Sequence, residues 1–120
     1  EALCAEWMVE QAKQGKLPIP ATAVSSWWGT NPTKRAQDDI DVLAADRISK
    51  RLVIGECKYR ETFDESAEID DLESKRGLVK GYAASHFMLF CKHDVSDATK
   101  KKLAAREDWR IVTLEEMYID

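Results

Sequence analysis

A chain of 120 residues is the size of one domain and can bury about two-thirds of the surface its unfolded form exposes. Its 44% apolar and 33% charged residues fit a globular protein in water, and no apolar run nears the ~20 residues of a membrane span. The net charge of −4 argues mildly against nucleic-acid binding through an overall basic surface. Basic residues do cluster locally, at Lys34–Arg35, at Lys75–Arg76 with Lys80, and at Lys100–Lys102 with Arg106.

The chain opens inside a helical pattern, with Leu3, Cys4, Trp7, Met8 and Ala12 at a 3.6-residue rhythm. It has neither an initiator Met nor a basic leader, so a domain cut from a longer protein is the expectation. Gly15 ends this helix, and Pro18 and Pro20 prevent a restart. Residues 22–28 form a first strand, and "GTNPTKRAQ" reads as a turn-rich loop. Residues 39–46 and 51–59 make a hairpin around Arg47–Lys50. A helix follows over 65–80, then a strand over 86–92. A helix capped by Ser96 precedes a last strand, 109–113, and a terminal helical turn. The order α-β-β-β-α-β-α-β-α predicts an α/β domain whose central mixed sheet is flanked by helices.

The hairpin carries charge where apolar residues belong. Side chains alternate across a strand, so Leu52, Ile54, Glu56 and Lys58 share one face. On the partner strand, Asp39, Asp41, Leu43 and Ala45 share one side, and Ile40, Val42 and Ala44 the other. Pairing the strands places Asp41 beside Glu56. Two carboxylates held close repel and raise each other's pKa, a penalty that a divalent cation removes. Mg²⁺ or Mn²⁺ suits carboxylate oxygens, and the Cys57 carbonyl is a further candidate ligand. Lys58 would orient a water or offset transition-state charge. These residues point to metal-assisted hydrolysis of a phosphodiester. A bare Glu-x-Lys is more often a surface salt bridge, and the spacing from Asp41 shifts the balance.

"IDVLAADRISKRLVIGECKYR" resembles the core of the PD-(D/E)XK nuclease superfamily, the restriction-endonuclease-like proteins. Ile40–Asp41 stands where that signature has Pro-Asp, and Glu56-Cys57-Lys58 stands for (D/E)-x-K. Together with "WWG", the opening "EALC" and "GKLP", the string is also similar to the C-terminal domain of archaeal-type DEXX-box ATPases. The resemblance implies an α-β-β-β-α-β core and Asp41, Glu56 and Lys58 as catalytic residues, with metal at the two acids. It implies an auxiliary acid on the first helix, matched here by Glu1 and less well by Glu6. DNA is the implied substrate and the chain's own N-terminal P-loop ATPase the implied partner, with homodimers common among relatives that cut both strands. The acidic net charge departs from typical DNA-cleaving members. The alternative is a non-catalytic interaction or regulatory module that keeps the nuclease fold as scaffold.

Several residues fit blander roles. Of Trp27 and Trp28, one packs in the core and the other lines the cleft or stacks on a base. Lys34 and Gln37 are rim candidates with no motif to fix either. His86 and His93 read as strand-end residues. Lys100–Lys102 read as a solvated helix face, as do Lys75 and Arg76, with phosphate contact the lesser reading for the latter pair. The three cysteines, Cys4, Cys57 and Cys91, are scattered among apolar neighbours. They suit reduced thiols in a cytoplasmic protein without membrane attachment.

Overall fold

A computed structural model describes residues 2–119. The elements are α1 (Ala2–Lys13), β1 (Ala23–Asn31), β2 (Ala36–Asp46), β3 (Arg51–Lys58), α2 (Glu65–Ser74), β4 (Ala83–Cys91), α3 (Asp97–Leu103), β5 (Trp109–Thr113) and α4 (Leu114–Ile119). The strands lie in the order β1-β2-β3-β4-β5. The first three form an antiparallel meander, and β4 and β5 join in parallel through α2 and α3. The result is the expected mixed α/β fold, a five-stranded sheet flanked by helices and compatible with a nuclease-like core.

Each face of the sheet has its own apolar layer. Cys4, Trp7 and Met8 of α1 and Met117 of α4 pack on Val42, Ala44, Val53 and Phe90. Ile69 and Leu72 of α2 pack on Ile40, Leu43, Ile54 and Leu89 of the other face. The short apolar runs of β3 and β4 are explained by this double cover, since central strands are buried on both sides. At Gly15 (φ 67°), the amides of Gly15 and Lys16 bond back to the carbonyls of Ala12 and Gln11. This ends α1 in a Schellman arrangement that favours glycine.

Two boundaries differ from the sequence expectation. The segment read as a loop, 29–37, is mostly strand: Gly29, Thr30 and Asn31 pair with Asp38, Gln37 and Ala36. Asn31 concentrates the turn into 32–35 because its Oδ1 accepts from the amides of Thr33 (3.0 Å) and Lys34. The second helix stops at Ser74 instead of residue 80. From Lys75 the chain continues in turns, with Lys75 and Arg76 amides bonding to carbonyls three residues back, and it reaches Gly81 at φ 87°.

Candidate metal centre

The β2–β3 ladder runs from Asp46–Arg51 to Val42–Gly55 and stops. Beyond it β2 pairs only with β1, and Glu56–Lys58 pair only with β4. The next residues on the two strands are Asp41 and Glu56. Where the ladder ends, the Asp41 Oδ2 accepts the Cys57 N–H at 2.8 Å, so a carboxylate replaces the missing backbone partner.

A bulge sets the aim of Asp41. Ser25 pairs with Leu43 and Trp27 with Ile40, leaving Ser26 opposite both Asp41 and Val42. One extra residue in β2 shifts the alternation and re-aims side chains. The expectation that Ile40 shares a face with Val42 and Ala44 is therefore corrected. Ile40 packs with Leu43 and Ala45 under α2, while Val42 and Ala44 face α1.

Asp39, Asp41 and Glu56 each present a carboxylate oxygen, all within 4.8 Å of one another. Asp39 is exposed, Asp41 half-buried and Glu56 buried, at 7% exposure. Burial pushes the Glu56 pKa up to about 8, and Asp41 beside it adds to the rise through a hydrogen bond and charge repulsion. Lys75 acts in the opposite sense without cancelling it. A carboxyl protonated near neutrality between two other acids is the arrangement a divalent cation relieves. An all-oxygen donor set of this kind suits Mg²⁺ or Mn²⁺.

Lysines surround the cluster. Lys58 leaves β3 on the Glu56 face and pairs with Glu68 of α2 at 3.5 Å. The Lys75 side chain is only 3% exposed, which corrects the solvated-face expectation for this residue. Its ammonium donates to the Asp39 carbonyl at 2.7 Å and lies 3.3 Å from Asp38, 3.5 Å from Glu56 and 3.5 Å from Asp71. Burial disfavours its charge, but Glu56, Asp71 and Asp38 outweigh that and hold its pKa above the usual lysine value. Lys34 closes the outer side through Asp71 (2.7 Å) and Asp38 (3.3 Å).

The remaining sequence candidates fall as follows. Glu1 lies outside the described residues. Glu6 lines a groove of about 650 Å³ between α1 and β1, together with Ala5, Val9, Ser26 and Asp41. Gln37 bonds to Thr30 on the exposed hairpin, away from the cluster's hydrogen bonds. Trp27 packs against the core, whereas Trp28 is 77% exposed and pairs across the strands with Asp39. His93 bonds to Glu61 and His86 to Ser85, neither in the cluster. Cys4, Cys57 and Cys91 are free thiols. No helix among the described residues is long and apolar enough to cross a membrane.

Two participants were missed in the sequence. Asp39 was legible, because it precedes Asp41 by one strand period. Lys75 was not, because its burial depends on where α2 ends.

The family model for DUF234, archaeal and bacterial proteins of unknown function, matches residues 1–70, a stretch that contains Asp39, Asp41, Glu56 and Lys58. The chain belongs to this family. No curated protein matches the DUF234 chain in sequence. Among solved structures, protein VC1899 from Vibrio cholerae is similar in fold, with TM-score 0.64 and 19% identity over 94% of this chain and 29% of that one. Can2 from Sulfobacillus thermosulfidooxidans, solved in complex with cyclic tetra-adenylate, is similar at TM-score 0.59 and 15% identity, over 90% of this chain and 30% of that one. The DUF234 chain thus spans under a third of the length of either structure.

Proposed function

We propose that this DUF234 chain is a metal-dependent phosphodiesterase module acting on DNA, of the PD-(D/E)XK kind, and that it works beside a P-loop ATPase. The convergence of Asp39, Asp41 and Glu56 oxygens within 4.8 Å, where β2 and β3 part, carries this reading. Asp41 and Glu56 hold the cation, with Asp39 and the Cys57 carbonyl available as further donors. Held there, a divalent cation would supply Lewis-acid polarisation of phosphate and acidify a water.

The chain's own residues supply the rest. The Cys57 N–H fixes the Asp41 carboxylate in place at 2.8 Å. Glu56 releases its proton as the site fills, because ligation requires the carboxylate. Lys58, on the same strand face, swings from Glu68 to orient the attacking water or offset charge on phosphate. The exposed Trp28 ring, across from Asp39, offers a stacking surface for a base. Electroneutrality helps here as well: an acidic site repels phosphate until a cation occupies it.

Cleavage of a panel of duplex, junction, flap and single-stranded DNA with Mg²⁺ or Mn²⁺ tests the proposal. Lys58→Ala should cost at most about 1 kcal/mol of stability, since the Glu68 pair is partly exposed, yet abolish cleavage. Metal at about a hundred times its Kd should stabilise wild type by about 2.7 kcal/mol, and Asp41→Ala should remove that gain. A wild-type protein that neither gains stability with metal nor cuts any substrate is instead a non-catalytic module. Lys75, already seated among the acids, is the feature that favours this second reading.

A further inference from the structure

The carboxylate cluster already contains a cation, the Lys75 ammonium. It lies within 3.5 Å of oxygens from Asp38, Asp39, Glu56 and Asp71, contributed by β2, β3 and α2. It spans the gap where the β2–β3 ladder has ended. The ammonium donates to the Asp39 carbonyl and to Glu56. Resting on the metal reading above, we infer that Lys75 is a positioning residue that fills the inner end of the cluster and restricts the site to one divalent cation.

Charge counting leads to the same limit. Asp38, Asp39, Asp41, Glu56 and Asp71 face two ammoniums, Lys34 and Lys75. With all five acids ionised, three negative charges remain. One divalent cation leaves a single negative charge, and a second would reverse the sign. Two-metal phosphoryl-transfer sites hold their ions about 3.5–4 Å apart. The Lys75 ammonium lies 3.3–3.5 Å from carboxylate oxygens of Asp38, Glu56 and Asp71, so it takes up the ligands that a second ion beside the first would need. Lys58 does not do this, because it is turned toward Glu68. A neutral side chain at position 75 leaves four negative charges, enough for two divalent ions.

Counting bound Mn²⁺ by electron paramagnetic resonance on the nucleotide-free, full-length protein tests this, with the Asp41→Ala count subtracted as background. Wild type should hold one Asp41-dependent ion, and Lys75→Gln, which keeps a donor for the Asp39 carbonyl, should hold two. Lys75→Arg should remain at one. Lys75→Met serves in place of the glutamine variant should that protein fail to fold. Two ions in wild type overturn the inference, and so does an unchanged count of one in the neutral variants, while both results leave the metal reading standing. No ion in wild type but one in Lys75→Gln overturns the limit of one together with the metal reading, and leaves Lys75 as the cation that fills the cluster. No ion in any variant overturns both.

Discussion

The two ends of the β2–β3 hairpin each bury an acid, and the acids behave in opposite ways. At the closed end Asp46 is 4% exposed and fully supplied with donors. Its Oδ2 accepts the Ser49 hydroxyl at 2.6 Å, and its Oδ1 accepts the Ile48 and Ser49 amides. The Ser49 hydroxyl bond and these amides hold its carboxyl below the usual value. At the open end Glu56 is 7% exposed but faces Asp41, and burial and that neighbour push it up to about 8. Burial alone therefore says little about a carboxylate. An acid surrounded by donors is a turn builder, and one pressed against another acid is held protonated toward neutral pH even with the Lys75 ammonium beside it.

The largest separation of the two ends is in pH dependence at Glu56. Its folded pKa of about 8 lies above the ordinary 4.5. Relative to the ionised form, the stability from holding that proton is complete below 4.5 and is lost as pH rises through 8. The ceiling on that loss is about 5 kcal/mol, at ~1.4 kcal/mol for each pH unit between 4.5 and 8, and relaxation and water entry reduce it. Glu56→Gln keeps the neutral shape. In EDTA its melting temperature should match wild type below about pH 4.5, exceed it increasingly up to about pH 8, and hold a constant excess above that. Saturating Mg²⁺ should close that gap by stabilising the ionised wild-type residue. A gap that does not change with pH would place Glu56 with the structural acids.

A second, smaller effect is steric and lies at the border of the two ends. Gly55 forms the last ladder pair with Val42. A Cβ there would stand 2.8 Å from the Phe90 ring and 3.0 Å from a Val42 methyl. Gly55→Ala should cost about 1–3 kcal/mol, the usual penalty for overpacking a core, read by urea denaturation. The backbone shift would pass directly to Glu56 and should weaken Mn²⁺ binding in a protein that remains folded.

The sequence displays these two ends unequally. Alternation exposes the apolar, paired half of the hairpin, and the Glu-x-Lys spacing after Asp41 exposes the open half. The bulge at Asp41–Val42 is invisible locally, because it is defined by Ser26 on the neighbouring strand. Alternation alone therefore assigns Ile40 to the wrong face. Lys75 fails for a related reason. "ESKRG" has the composition of a solvated helix end, and only the stop at Ser74 sends the lysine inward to the Asp39 carbonyl. Asn31 likewise shortens a loop by accepting two amides, a choice that its surroundings settle.

The smallest expected effect is at the closed end. Asp46 has a depressed pKa, so its contribution is present above the ordinary value of 3.8 and disappears as pH falls through the folded one. Asp46→Asn keeps one oxygen for the Ile48 and Ser49 amides but cannot accept the Ser49 hydroxyl as a carboxylate does. Its melting temperature should fall by about a few degrees at pH 7 and converge on wild type in acid, the reverse of the Glu56→Gln trend. Mn²⁺ affinity should not change, since the turn lies at the far end of the ladder from Asp41. A metal-affinity loss in Asp46→Asn as large as that in Asp41→Ala would mean that the hairpin transmits strain along its length, and the two ends could no longer be treated as separate devices.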